Sequence, residues 1–388
     1  MLQSLLDRTF RTRAIAVRLP GGQTLRAGPG EPELTAVIED RKTALAIAGN
    51  PELKLGEAFM DGGFRIEGGD IYDFVALAAS QLSSQMRPQP FGWRIRRAME
   101  QANDRRHARA NVHHHYDLTV DFYRLFLDAD LQYSCAYFET PDATLEQAQA
   151  AKKQRLIDKL VLSPGQRALD IGCGWGGLGL SLAKAGAQVT GVTLSTEQHR
   201  TANERAAAQG LADRADFRLQ DYRDLNQPFD RIVSVGMFEH VGAPNYQEYF
   251  DHVARLLTDD GVAVIHSIGR KGPPSRTQPW IRKYIFPGGY IPALSEVLPA
   301  IERAGLWVTD MEVLRLHYAE TLKAWRERFL ARRDEALAMY DERFCRMWEF
   351  YLAVSEVAFR ELGQMVFQLQ LTKKPDAVPL TRDYLCRN

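Results

Sequence analysis

The chain has 388 residues, 45% hydrophobic and 25% charged, the balance of a soluble globular protein with room for two or three domains. Its 49 basic and 49 acidic side chains cancel, so there is no global basic field for nucleic acid. Four scattered cysteines (Cys135, Cys173, Cys345 and Cys386) with no C-x-x-C argue against a zinc site and a disulfide framework and fit a reducing cytoplasm, and no apolar run nears the roughly 20 residues of a spanning helix.

The opening MLQSLLDRTF has no long apolar region and no cleavage pattern of a signal peptide. Residues 1–85 read as a small α+β module. Positions 14–19 alternate like a strand, Pro20-Gly21-Gly22 turns the chain, 44–47 suggest a second strand, and 51–60 and 71–80 have helical spacing. No acid–base pair or ligand cluster stands out, so the module is expected to pack or dock, and dimer contact is one role open to it. Residues 86–111 form a basic linker, in which Arg87, Arg94, Arg96, Arg97, Arg105, Arg106 and Arg109 face only Glu100 and Asp104. Phe91, Trp93, Ile95 and Met99 interleave with them. Such a segment either lies on an anionic lipid surface or is a solvated helical face. Histidines 113–115 invite a metal reading, but adjacent helical positions do not face one site, and no metal is expected.

Residues 112–388 read as one α/β domain with helical additions. Aromatics crowd its start, and Tyr133-Ser134-Cys135-Ala136-Tyr137-Phe138 mixes hydroxyls with a thiol in a turn-like run. A helix over 145–160 carries Ala, Leu and Ile on one face with its lysines opposite. Strands are expected over 167–171, 188–194, 216–219, 229–235 and 261–268, with an edge strand over 307–314. Helices are expected over 178–185, 195–209 (capped by Ser195), 245–257 and 294–304. The tail reads as helical over 320–340 and 341–370, with a wide aromatic face. This alternation implies a doubly wound, largely parallel sheet.

The stretch LDIGCGWGG, residues 169–177, is the organising motif: a short apolar strand bearing Asp170, a glycine turn, then a helix. It lacks the G-x-G-x-x-G dinucleotide spacing and the Lys-Ser/Thr of a phosphate loop. An acid just before such glycines is the pattern of S-adenosylmethionine (AdoMet) methyltransferases; an ordinary βα turn or another nucleotide fold remains the alternative. After the second strand stand Thr193 and Gln198, with no acid for ribose hydroxyls. After the third, Asp221 can accept from an adenine amino group and Tyr222 can cover the ring. After the fourth, Glu239 sits in an apolar surround, either as a satisfied structural acid or as a group at the reaction centre.

Seven motifs in order, YSCAYF, LDIGCGWGG, GVTLS, MFEHVG, HSIG, KYIFPGG and HYAETLKAW, resemble the cyclopropane fatty acid synthases over residues 112 to about 370. The resemblance implies a Rossmann-like class I AdoMet methyltransferase. Such an enzyme adds a methylene across a cis double bond of a phospholipid acyl chain, at the inner face of the membrane in the cytoplasm. It implies a bound bicarbonate as the base, held by Cys135, Glu239, His266, the backbone of Ile268, and Tyr318. It assigns Tyr133 and Ser134 to the carboxylate end of AdoMet and Gly172 and Gly174 to close approach. Thr193 and Gln198 go to the ribose side, and Asp221 and Tyr222 to the adenine. Val120, within YDLTVDFY, departs from the Asn usual in the family and leaves room for a methyltransferase that does not close the ring. A non-catalytic lipid-binding protein on the same fold is the reading from another class.

Overall fold

The computed structural model describes residues 1–82 and 118–385. The basic linker over 86–111, histidines 113–115 and Cys386 lie outside the described residues. The chain divides into two compact units. One comprises residues 1–82, 277–287 and 319–364 among those described, and the other 118–276, 288–318 and 365–385. Segments 277–287 and 319–364, which the linear reading assigns to the catalytic part, thus belong to the unit that contains the N-terminal module.

In the first unit β1 (Ile15–Arg18), β2 (Thr24–Ala27), β3 (Thr35–Ile38) and β4 (Phe64–Glu67) form a sheet of order β2-β1-β3-β4. Residues 44–47 are not a strand; they lie in the helix Arg41–Gly49. The Asp40 carboxylate accepts from the Thr43 amide at 2.8 Å, and this cap starts a helix that the short apolar run did not signal. The helices Pro51–Met60 and Ile71–Leu82 form as expected. The helix Glu342–Glu361 packs on both. Its Phe350 meets Trp280 edge-on at 4.6 Å, and a Cβ on Gly56 would lie 2.5 Å from the Trp280 Nε1, so only glycine admits that contact.

The second unit is built on a seven-stranded sheet of order β10-β11-β9-β8-β5-β6-β7. The strands are β5 (Arg167–Ile171), β6 (Gln188–Thr193), β7 (Ala215–Leu219), β8 (Phe229–Val235), β9 (Leu257–Arg270), β10 (Trp307–Val313) and β11 (Gln364–Thr372). Pairs β5/β6, β6/β7, β5/β8 and β8/β9 are parallel; β10/β11 is antiparallel, with β10 at the edge. Successive strand residues feed opposite cores. Ile232, Ala263 and Ile265 join Phe250, Val253 and Ile301 on one face. Val233 and Val264 join Leu156, Leu182 and Ala202 on the other. Two buried faces are what a doubly wound sheet requires. The strand order reverses between β5 and β8, so the ligand crevice of such a sheet lies off their carboxyl ends.

Two expectations fail here. The helical reading through residue 370 is wrong: the helix ends at Glu361, Gly363 takes φ +73°, and β11 follows. Gln368 and Gln370 are buried with its apolar residues, so no exposed face marks it. The lysines of the helix Leu145–Lys159 are also not all opposite its buried face: Lys152 and Lys159 are both fully buried. Lys159 reaches Glu312 at 2.7 Å, and Lys152 reaches two neutral oxygens described below.

Candidate active site

The glycine turn leaves β5 at the switch point. The amides of Gly172 and Cys173 donate to Val192 O at 2.9 and 3.0 Å, tying the turn to β6. Gly172 and Gly174 have φ of +79° and +53°. A Cβ on Gly172 would lie 2.9 Å from Met237, whereas one on Gly174 would meet nothing within 4 Å. Gly172 is therefore a packing position, and Gly174 borders open space beside a helix N-terminus, Gly177–Lys184. Asp170, buried before the turn, has its Oδ2 without a hydrogen-bond partner, and burial pushes its carboxyl up to about 7.

At the end of β6 the Thr193 hydroxyl donates to Gln198 Oε1 at 2.8 Å, and the Ser195 hydroxyl caps the next helix by accepting from the Gln198 amide. Gln198 thus uses its oxygen internally and keeps its side-chain amide protons. Beyond β7, Asp221 is buried and accepts from Arg223 Nε at 2.9 Å and Nη2 at 2.6 Å. Its Oδ1 also takes the Arg223 amide at 3.0 Å, and sequence reasoning did not anticipate this pair. Tyr222 packs edge-on against Tyr249 at 5.6 Å, and its hydroxyl is raised by burial.

Off β8 and β9 the candidate reaction centre assembles. The Ile268 amide donates to Glu239 Oε1 at 2.6 Å, and the Gly236 amide donates to His266 O at 3.0 Å. Glu239 Oε2 is buried without a hydrogen-bond partner, and burial pushes the carboxyl up to about 7. The Ile268 amide is thereby committed to Glu239, and its carbonyl takes the Ser267 hydroxyl at 2.9 Å. His266 is buried and held well below its usual range by burial and by Lys152 and Lys159, so it is neutral. Gln368 of β11 lies 3.1 Å from His266 Nδ1. With the amide assigned as donor, the imidazole proton sits on Nε2.

Cys135 is fully buried, its thiol donating to Ala136 O at 3.2 Å. Tyr318, also buried, stands at the start of the helix His317–Ala331. Neighbouring residues join these two: the Phe138 amide donates to His317 Nδ1 at 3.1 Å, and His317 stacks on Tyr137 at 4.6 Å. Tyr133 contacts Tyr123 at 5.3 Å, which in turn meets Trp175 of the glycine turn at 4.7 Å. Ser134 is buried and its hydroxyl accepts from Lys152 at 2.9 Å. Phe122, Tyr123 and Phe126 are fully buried and serve as packing. The sequence missed Lys152, Gln149, His317 and Gln368, because charge and polarity read as exposure until their partners are known. Among the described residues no cluster of His, Cys, Asp or Glu could hold a metal ion, and no helix is long and apolar enough to cross a membrane.

Residues 103–369 match the family described as mycolic acid cyclopropane synthetase, and residues 1–90 match a domain of unknown function. The chain is 42% identical over 323 residues to the cyclopropane-fatty-acyl-phospholipid synthase of Escherichia coli K12, covering 81% of this chain and 82% of that protein. It is 36% identical to a probable fatty acid methyltransferase of Pseudomonas putida, with 96% of each chain covered. Among solved structures it is similar to a mycolic acid cyclopropane synthase complexed with SAH and CTAB, at 36% identity and TM-score 0.64, covering 68% of this chain and 97% of that one. A coclaurine N-methyltransferase, 20% identical with TM-score 0.67 over 82% of this chain and 99% of that one, shares the fold. With its glycine turn at the switch point of this sheet, the chain belongs to the mycolic acid cyclopropane synthetase family of AdoMet-dependent methyltransferases.

Proposed function

We propose that the chain transfers a methylene from AdoMet to the cis double bond of an unsaturated phospholipid acyl chain, forming a cyclopropane, with bound bicarbonate as the general base. The observation that carries the reading is Glu239: a buried carboxyl pushed up to about 7 by burial, with Oε2 unpartnered at the mouth of the sheet. The substrate class comes from the printed name of the Escherichia coli relative.

Both groups fit the residues present. Gly174 offers open space beside a helix N-terminus, and the Gln198 amide protons are suited to ribose oxygens. Ser134 and Tyr133 serve the carboxylate end, and Asp221 and Tyr222 the adenine. The anion set is assigned a protonated Glu239 Oε2, His266 Nε2–H and the Tyr318 hydroxyl as neutral donors, together with Cys135, whose thiol proton goes to Ala136 O, and Ile268 orients Glu239 through its amide. An ionised Glu239 would repel an anion in this dry site, so its raised affinity for a proton is what admits one. When bound, AdoMet supplies an electrophilic methyl and bicarbonate a base. His266 holds its proton on Nε2 toward that base while Gln368 fixes the tautomer from the other ring nitrogen.

We further propose peripheral association with an anionic membrane surface on the cytoplasmic side, through the basic residues 86–111, and homodimer contact through the N-terminal module. The test of the reaction is the lipid product, by mass spectrometry, after purified protein is incubated with AdoMet and monounsaturated phospholipid. A cyclopropane chain, one carbon heavier and without the double bond, is expected. A methyl-branched product that keeps a double bond would favour the second reading, which Val120 and the Pseudomonas putida relative support. An unmodified lipid would overturn both.

A further inference from the structure

We infer that Lys152 is a positioning residue that dedicates the Ser134 hydroxyl to the α-carboxylate of the cofactor. The inference rests on the proposed placement of Ser134 at that end of AdoMet, and adds to it a residue that no motif contains.

Lys152 is fully buried in the middle of the helix Leu145–Lys159. Its ammonium donates to Gln132 Oε1 at 2.6 Å and to Ser134 Oγ at 2.9 Å, both neutral acceptors. No described carboxylate forms an ion pair with it. Two aspartates act on it through space: buried Asp128, which accepts from the Asp130 and Gln132 amides, and Asp130, which is engaged by Lys153 and Arg205. A buried ammonium hydrogen-bonded only to neutral acceptors, with its counter-charges acting at a distance, is costly, and a ligand anion beside it adds compensation. Gln149, one turn earlier on the same helix face, donates to Ser134 O at 2.9 Å and to Gln132 O at 3.2 Å. Two side chains of one rigid helix thus fix both the backbone and the hydroxyl of Ser134.

Hydrogen-bond counting gives the direction. A lysine ammonium has only donors, and a serine hydroxyl has one donor and two lone pairs. With Lys152 occupying a lone pair of Ser134 Oγ, the serine proton must go elsewhere, and no described residue accepts it. The proton is therefore kept for an outside acceptor, strengthened by the cation behind it. A carboxylate satisfies both needs: it accepts the serine proton and offsets the buried charge. Lys152 also acts on Asp170 and His266 through space, so its charge is felt at the glycine turn and at the reaction centre. Desolvation brings the Lys152 ammonium down to about 8, which an anion beside Ser134 would reverse.

The test compares two ligands on the full chain by titration calorimetry. S-adenosylhomocysteine carries the α-carboxylate; 5′-methylthioadenosine has the same nucleoside and thioether without the amino acid. In Lys152→Met, affinity for S-adenosylhomocysteine is expected to fall about tenfold or more, the scale of a charge-assisted hydrogen bond, with methylthioadenosine within about twofold of the parent. Ser134→Ala, which leaves Lys152 in place, is expected to show the same selective loss. Equal losses for both ligands in Lys152→Met, or in the milder Lys152→Gln if the methionine variant does not fold, or no loss there, would overturn the inference whatever Ser134→Ala shows. A parent chain that binds neither ligand would instead overturn the reading of the glycine turn as an AdoMet site.

Discussion

The main-chain amide of Ile268 grips one oxygen of Glu239 at 2.6 Å while the other oxygen of the same carboxyl is buried with no partner. One contact fixes the side chain and the other oxygen is left for chemistry. Burial pushes Glu239 up from 4.5 to about 7, so the folded protein binds a proton that the unfolded chain releases between those values. Its contribution to stability is fully present below the unfolded value and is lost as pH rises through about 7. A shift of this size corresponds to about 3 kcal/mol. Glu239→Gln, which cannot ionise, is expected to keep its stability where the parent loses it. Denaturant unfolding of both from mildly acidic to mildly alkaline pH would reveal the divergence. Glu239→Leu is expected to lower product formation by about two orders of magnitude or more, because it removes a hydrogen-bond donor from the anion set that the glutamine amide would keep.

If that set holds bicarbonate, the requirement is separable from AdoMet binding. In buffer stripped of dissolved carbon dioxide, product formation is expected to fall while calorimetric affinity for S-adenosylhomocysteine stays unchanged. Added bicarbonate should restore the rate. In Cys135→Ser the half-saturating bicarbonate concentration is expected to shift, since a hydroxyl replaces the buried thiol that donates to Ala136 O. A rate indifferent to bicarbonate in both proteins would remove the anion from the mechanism.

Gly172 and Gly174 stand two residues apart and should respond differently to the same methyl group. At Gly172 an added Cβ would lie 2.9 Å from Met237 in a left-handed backbone, so Gly172→Ala is expected to cost about 2 kcal/mol of stability. At Gly174 the Cβ would enter open space, leaving only the backbone cost of about 1 kcal/mol. There the methyl group would stand where a ligand must approach. Gly174→Ala is therefore expected to lose most of its affinity for S-adenosylhomocysteine with a smaller fall in melting temperature. Thermal unfolding and calorimetry on the two variants check the contrast.

The central strands, their helices and the glycine turn were legible because each carries a local signal: an apolar run, a capping serine at 195, a terminating glycine at 186. Strand β11 was not, since Gln368 and Gln370 are polar yet wholly buried, their side-chain amides reaching His266 and Lys159 O across long chain separations. Lys159 is intelligible only through Glu312 and Asp310, which belong to a strand far along the chain. The candidate site divides in the same way. Motifs named its directly acting residues, whereas the groups that orient them, Lys152, Gln368 and His317, carry no pattern because their function depends on partners distant in sequence.

His317 offers the sharpest test of that second group. Its Nδ1 accepts from the Phe138 amide, its ring stacks on Tyr137, and Arg155 lies over the other ring at 4.6 Å while paired with Glu312. This stack joins the segment bearing Cys135 to the start of the helix His317–Ala331, where Tyr318 stands. An asparagine places its oxygen near the position of Nδ1, whereas the longer glutamine places its oxygen nearer Nε2. His317→Asn is therefore expected to keep the bond from Phe138, and His317→Gln to leave that amide without its acceptor, costing about 1–3 kcal/mol more. If the contact also aligns Cys135 with Tyr318, the glutamine variant should lose turnover and raise the bicarbonate requirement, and the asparagine variant should recover much of both. Equal behaviour of the two variants in unfolding and in turnover would mean that ring stacking alone, and not the acceptor at Nδ1, holds these segments together.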